Sequence, residues 1–226
     1  EVHIARFSSR RGISVSLSAW YTRKLMEKDK FRLKKVARAS LPTRFGEFEI
    51  FGFEEEAADG EQVMALVKGD FEGECVPLVR IHSQCFTGDT LHSLRCDCGE
   101  QLEKALEKMA VAPCGLLIYQ MQEGRGIGLL NKLHAYELQD RGVDTVEANV
   151  QLGFRADQRS YAFCAHVLRY FTVSAVRLMS NNPAKIQGLE AEGIEVVERI
   201  PLVVKSSRLA EKYLKTKKEK LGHLLD

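Results

Sequence analysis

Three strand-like runs follow one another without an intervening helix, FGEFEIFGF (45–53), QVMALVKG (62–69) and VPLVRIH (76–82), and only then do strands and helices alternate. Each run is rich in β-branched or aromatic residues and is bounded by Gly, Asp or Pro, the composition of a half-buried pleated segment. GEQLEKALEKMA (99–110) then sets Leu102, Ala105, Leu106 and Met109 at i, i+3, i+4 and i+7, the period of an amphipathic helix. A strand GLLIYQ (115–120), a glycine-rich loop QEGRGIG (122–128) and a helix LLNKLHAYELQD (129–140) come next. A helix over 160–171, a strand SAVRLMS (174–180), a short helix after NNP and a strand IEVVERI (194–200) follow, and LAEKYLKTKKEKLGHLL is a charged amphipathic helix. This order predicts an α/β or α+β fold, a mixed β-sheet with flanking helices in a single domain. With 226 residues, 45% of them hydrophobic, the chain can bury one sizeable core or two small ones. No internal repeat or low-complexity tract interrupts it.

The first forty residues have a different texture. RRGISVSLSAWYTRKLMEKDKFRLKKVARAS holds a short apolar strand-like piece followed by a basic helical pattern. The reading therefore divides the chain into an extension or linker, 1–35, and a main domain, 36–226. A formal net charge of +2 gives no argument for nucleic-acid or membrane partners. No apolar run reaches the length of a membrane span, and EVHIARFSSRRG has no signal-peptide core. A soluble cytoplasmic protein without either partner is expected.

HSQCFTGDTLHSLRCDCGEQL (82–102) gathers Cys85, Cys96 and Cys98 with the spacing C-x10-C-x-C. Cys96 and Cys98 stand too close for an unstrained disulfide with each other, but both sulfurs can face one ion from a tight turn. Three protein ligands with an open fourth position is the pattern of catalytic zinc, whose bound water becomes a nucleophile near neutral pH. Three thiolates leave such a centre with a net charge of −1, so a nearby base becomes useful. The competing reading is a structural zinc closed by His82 or His92, and the cysteines alone favour neither. Cys75, Cys114 and Cys164 sit apart in apolar surroundings and read as inert thiols.

QEGRGIG lies between a strand and a helix, as a phosphate-binding turn should. It has neither the GK[ST] ending of a P-loop nor the G-x-G-x-x-G pattern. Its interest lies in Glu123 and Arg125. A carboxylate can accept from N1–H and the exocyclic amine of guanine, and a guanidinium can fork onto phosphate oxygens. Arg80, His82, Ser83, Ser180 and Lys185 are further candidate phosphate groups, though each taken singly reads as a solvated surface residue.

The segments VRIHSQCFTGDTLHSLRCDCGEQLEKAL, QEGRGIGLLNKLHAYELQDRGVDTVEANVQLGFRADQRSY and RLMSNNPAKIQGLEAEGIEVVERIPL together resemble the GTP cyclohydrolase II family, over roughly residues 36 to 225. The resemblance implies a hydrolase acting on a cyclic amidine. GTP would be opened at its imidazole ring, with C8 lost as formate and pyrophosphate released. The remaining product would be 2,5-diamino-6-ribosylamino-4(3H)-pyrimidinone 5′-phosphate, entering riboflavin biosynthesis. It also implies one catalytic Zn²⁺ per chain on Cys85, Cys96 and Cys98, Mg²⁺ arriving with the triphosphate, and a homodimer. Carried over by motif, Arg80, Ile81, His82, Ser83 and Gln84 would bind GTP, with Gln101, Glu123, Gly124, Arg125, Thr145, Ser180 and Lys185. Asp157 would be the proton acceptor and Arg159 a nucleophile toward the α-phosphorus or a clamp on it. Tyr136 would lie near the reacting base.

Two of these have a plainer reading: Tyr136 as core with Leu129 and Leu133, and Asp157 as the N-cap of a helix starting near Ser160. Gln84 replaces a usual Glu and Ser180 a usual Thr, which predicts altered affinity rather than lost function. Residues 1–35 resemble the end of a dihydroxybutanone phosphate synthase domain without its acidic catalytic motif. The chain would be a fragment of a bifunctional protein, or a descendant that lost that half. Two rivals remain: a paralogue stopping at the formamide intermediate, and a catalytically silent zinc-containing GTP-binding subunit.

Overall fold

The computed structural model describes residues 33–56, 60–71, 75–204, 216, 218, 219 and 222–224. Its strands are β1 (Leu33–Thr43), β2 (Gly46–Glu55), β3 (Gln62–Lys68), β4 (Leu78–Ser83), β5 (Gly115–Gln120), β6 (Ala175–Met179) and β7 (Glu195–Ile200). Its helices are α1 (Cys98–Ala110), α2 (Leu129–Asp140), α3 (Thr145–Gln151), α4 (Ala162–Tyr170) and α5 (Pro183–Ala191). One seven-stranded sheet runs β1-β2-β3-β5-β4-β6-β7. The pairings from β1 to β5 are antiparallel, whereas β5, β4, β6 and β7 pair in parallel. The expected mixed sheet with flanking helices is therefore present as an α/β domain.

The two halves differ because of how their strands connect. The β1–β2 hairpin turns within a few residues, and β1 stays exposed along most of its length. Parallel neighbours need crossovers, and helices supply them, so the parallel half is covered on both faces. On one face Val79, Ile81, Leu116 and Ile118 meet Phe163, Val167 and Leu168 of α4 and Leu189 of α5. On the other, Leu78, Leu117 and Met179 meet Ala105 and Met109 of α1. In β4 all residues from Leu78 to His82 are buried, so Arg80 and His82 lie on the α1 face among apolar neighbours.

Three expectations need adjusting. The basic pattern in residues 33–40, read as helical, is the start of β1; its partner strand β2 supplies Glu49 to Arg38 and Glu54 to Lys34 across the pair. Asp144 caps α3, a helix the sequence reading did not separate, by accepting from the N–H groups of Val146 and Glu147. Cys75 and Cys114, expected as separate thiols, form a disulfide between the segments that enter β4 and β5, with Cα atoms 6.5 Å apart. Cys164 does lie in the core, and burial pushes its thiol well above the usual range. The strand-like piece before residue 33, and most of the helix expected over 209–225, fall outside the described residues.

Phe163 is the largest α4 side chain fully buried against the sheet. Phe163→Ala should lower unfolding free energy by about 3–5 kcal/mol, read from the midpoint of a denaturant titration. A loss below about 1 kcal/mol, where surface substitutions fall, would contradict this core assignment.

Candidate active site

Strand β4 connects to β5 on one side and β6 flanks it on the other, so the chain reverses its winding direction at the carboxyl ends of these three strands. A crevice opens at such a point in α/β sheets. Here it is a cleft of about 1090 Å³, open to solvent. Ser83, Gln84 and Cys85 reach it from the end of β4, Glu123 to Arg125 from the turn after β5, and Ser180 to Asn182 from the end of β6.

The three cysteines converge at one wall of the cleft. Their sulfurs all lie within 4.8 Å of one another, and Cys85 Sγ and Cys96 Sγ are 3.7 Å apart. Among the described residues no His, Asp or Glu joins this group. His82 Nε2 is instead bonded to Asp89 at 3.0 Å, and His92 does not join the group. Among the described residues the trio therefore has three donors and no fourth ligand, and three soft sulfurs at this separation fit a zinc-like ion.

The backbone is shaped around them. Residues Phe86–Thr90 form a π-turn carrying Gly88 against the trio; a Cβ there would lie 2.9 Å from Cys96 Sγ and 3.1 Å from Cys85 Sγ. The hydrogen bond with Cys96, then that with Cys98 and the charge of Lys132, drives Cys85 toward the thiolate against its burial. The same contact with Cys85 pushes Cys96 up to about 11.

Two buried carboxylates hold this wall. Asp89 accepts from the Cys85 N–H at 2.9 Å, from Tyr119 Oη at 2.8 Å and from His82 Nε2. Burial pulls His82 below its usual value, so the ring is neutral and Nε2 donates. Glu123 accepts from the Phe86 N–H at 2.6 Å, the Gly124 N–H at 2.7 Å and Lys132 Nζ at 2.8 Å. Both Glu123 oxygens are thus engaged from within, Oε1 by two donors and Oε2 by one, which leaves Oε2 room for about one more donor. The following Arg125 has φ 63°, in the left-handed region, and its carbonyl accepts from the Gln158 N–H at 3.1 Å. That conformation costs on the order of 1 kcal/mol and aims the side chain into the cleft.

Cations occupy the remaining walls. Arg80 donates to the Met179 carbonyl at 3.0 Å and to Gln101 Oε1 at 2.7 Å; burial pulls it down to about 10, still charged at neutral pH. Lys185 Nζ donates to the Ile81 carbonyl at 2.8 Å. Arg159 grips Asp157 through Nε at 2.9 Å and through Nη2, and its Nη1 reaches Ser83 Oγ at 3.3 Å. Asp157 is held below the usual carboxylate range: burial raises it, but the Arg159 hydrogen bonds and charge outweigh that.

Most of the residues singled out by sequence line this one cleft, including Gln101, Thr145, Ser180, Lys185 and Tyr136. Two do not. The Ile81 side chain is in the opposite core, and Asp157 stands behind Arg159. Asp157 closes a turn onto the Arg159 N–H at 3.0 Å; the N-cap position of α4 belongs to Tyr161. Tyr136 is half-buried, with its hydroxyl 3.2 Å from Thr87 Oγ1 and the Arg95 guanidinium 4.8 Å over its ring. Leu133, its supposed core partner, is 44% exposed. Sequence reading missed Asp89, Gly88 and Lys132. Only the position of Gly88 and Asp89 in FTGDT, directly after Cys85, hinted at the first two.

Three thiols facing a cation-lined cleft at strand ends fit the active site of an enzyme. Sequence comparison narrows the class. The GTP cyclohydrolase II family model matches residues 34–201, and the chain belongs to that family of hydrolases. It is 54% identical over 195 residues to GTP cyclohydrolase-2 of Escherichia coli, covering 86% of this chain and 99% of that protein. It is 53% identical over 191 residues to a riboflavin biosynthesis protein of Vibrio vulnificus, covering 84% of this chain and 52% of that one. The chain thus spans about half the length of the Vibrio relative. A solved two-domain 3,4-dihydroxy-2-butanone 4-phosphate synthase from A. baumannii aligns with a TM-score of 0.44 at 19% identity, over 82% of this chain and 44% of that one, too distant to bear on function.

Two outcomes follow from this geometry. Gly88→Ala should reduce bound metal per chain while leaving the far-ultraviolet circular dichroism intact; full metal occupancy would show that the turn does not need glycine. The Asp157–Arg159 pair has a depressed carboxyl, so its stabilisation is present above the unfolded carboxyl pKa and fades as pH falls through the lower folded value. The difference in urea midpoint between wild type and Asp157→Asn should therefore be constant near neutrality and shrink in acid. A difference that grows in acid would reverse the assignment.

Proposed function

We propose that the chain hydrolyses GTP to 2,5-diamino-6-ribosylamino-4(3H)-pyrimidinone 5′-phosphate, formate and pyrophosphate, as the first step of riboflavin biosynthesis. The observation carrying this reading is that the thiol trio and four cations, Arg80, Arg125, Arg159 and Lys185, open onto the same cleft. A triphosphate needs the cations, and hydrolytic opening of an imidazole ring needs an activated water.

Cys85, Cys96 and Cys98 would hold Zn²⁺, which supplies an open Lewis-acidic position where water is activated for attack at C8. Arg125, Arg159 and Lys185 bind the phosphate chain, with Mg²⁺ carried in by the triphosphate. Ser83, Gln84, Gln101, Thr145 and Ser180 complete the nucleotide contacts. Tyr136 stands beside the trio through Thr87 and can donate a proton to the ring nitrogen that leaves. Its presence favours complete reaction over arrest at the formamide.

Arg159 acts as a clamp on charge developing at the α-phosphoryl group. Its bonds to Asp157 favour the charged guanidinium, which is no nucleophile. Asp157 sets the orientation of that clamp and takes up a proton only through groups in front of it. Residues 36–226 form the cyclohydrolase domain in this reading, residues 1–35 are an extension from a synthase-like neighbour, and the active form is a homodimer in the cytoplasm.

Purified protein should contain one zinc per chain and release formate and pyrophosphate from GTP in equal amounts. Pyrophosphate without formate would sink complete ring opening, and neither product from zinc-replete protein would sink the enzymatic reading. Arg159→Ala should lower kcat on the order of 10²- to 10³-fold, the usual loss for a group that stabilises developing charge. Intact mass spectrometry should find no guanylyl adduct on wild-type protein; an adduct on Arg159 would restore the nucleophile role.

A further inference from the structure

The trio is not electrically alone. Lys132 lies on α2, only 9% exposed, with Nζ 3.2 Å from Cys85 Sγ and 2.8 Å from Glu123 Oε1. The other oxygen of Glu123 accepts from the N–H of Phe86, the residue bonded to Cys85. Cys85, Phe86, Glu123 and Lys132 therefore close a ring of contacts around the first sulfur of the site. A lysine is almost never buried without partners, and here both hydrogen-bond partners of the ammonium belong to that ring.

We propose that Lys132 is a positioning residue for the metal: held by Glu123, its ammonium donates to the Cys85 thiolate and fixes that sulfur as the charge-compensated member of the trio. The proposal rests on the metal reading of the three cysteines. Partners behind metal ligands orient them and tune how much electron density they give up. A cation donating to one of three thiolates does this for an otherwise anionic donor set. Glu123 then serves the metal wall first, with Lys132 and two backbone N–H groups taking three of its roughly four acceptor positions.

The test uses the full chain loaded with Co²⁺, whose thiolate-to-metal charge-transfer absorption reports the energy of the sulfur lone pairs. In Lys132→Met the withdrawn hydrogen bond should move this band to longer wavelength. Metal affinity, measured by chelator competition, should fall roughly 10- to 100-fold, the usual loss for such a partner. Lys132→Arg, which keeps the charge and a donor, should recover most of both. Glu123→Gln should shift the band in the same direction as Lys132→Met and leave discrimination between GTP and ATP unchanged.

An unmoved band in Lys132→Met overturns the proposal, even if thermal stability drops, since a purely structural lysine predicts that result. Should Lys132→Met fail to fold, the Glu123→Gln protein decides: loss of GTP-over-ATP discrimination with band and affinity intact assigns Glu123 to the base and overturns the proposal. If wild-type protein itself shows no thiolate-to-cobalt band, the metal reading of the cysteines falls, and the inference falls with it.

Discussion

Strand β4 pairs in parallel on both sides, and the rest of the molecule is arranged around that constraint. Parallel pairing forces both neighbours, β5 and β6, to be reached by crossovers, and these bring α1 to one face and α4 to the other, where α5 from the β6–β7 crossover joins it. Strands β4 and β5 then end level with each other, at Ser83 and Gln120, while the pairing of β6 with β4 reaches only Val79 and Leu178. Every side chain of β4 from Leu78 to His82 is buried in consequence, including an arginine and a histidine that require partners. Arg80 finds the Met179 carbonyl and Gln101, and His82 finds Asp89. The polar groups of the site thus satisfy the central strand as well as facing the cleft.

The same economy governs the thiol wall. Buried carboxylates without donors would cost several kcal/mol each. Asp89 and Glu123 avoid that by accepting from the N–H groups of Cys85 and Phe86, the two residues where the chain turns from strand to cysteine-bearing loop. Orienting groups and structural groups are the same atoms here. A change in either carboxylate would be felt at the sulfurs before it was felt in the core.

Local periodicity made much of the fold legible in the sequence. The strand GLLIYQ and the helix LLNKLHAYELQD begin and end where the sequence places them, because local turn signals bound both of them. What depended on distant partners was harder to see. Residues 33–40 carry a basic pattern resembling a helix, yet the cross-strand acids of β2 make them a strand. Cys75 and Cys114 are 39 residues apart, and only the side-by-side entry of β4 and β5 brings them together. At the site, family motifs pointed to most of the cleft lining. They could not tell that the Ile81 side chain faces the other way, that Asp157 stands behind Arg159, or that Glu123 is engaged from within. Each of those facts is set by pleat direction or by a hydrogen-bond partner that spacing does not encode.

Helix α2 illustrates what such a partner can impose. Its buried positions include Lys132 and Ala135, while Leu130 is 74% exposed and Leu133 44% exposed. Hydrophobicity alone would rotate the helix to bury the leucines, but that rotation would pull the lysine away from Cys85 and Glu123. The helix is therefore locally frustrated, its solvent-facing apolar surface tolerated in exchange for one inward charge. Selection for thermal stability alone would tend to relax this conflict by replacing the lysine or the outward leucines. Only the first kind of replacement would reach the site, so α2 is a place where the pressures of robustness and chemistry can be told apart by which residue gives way.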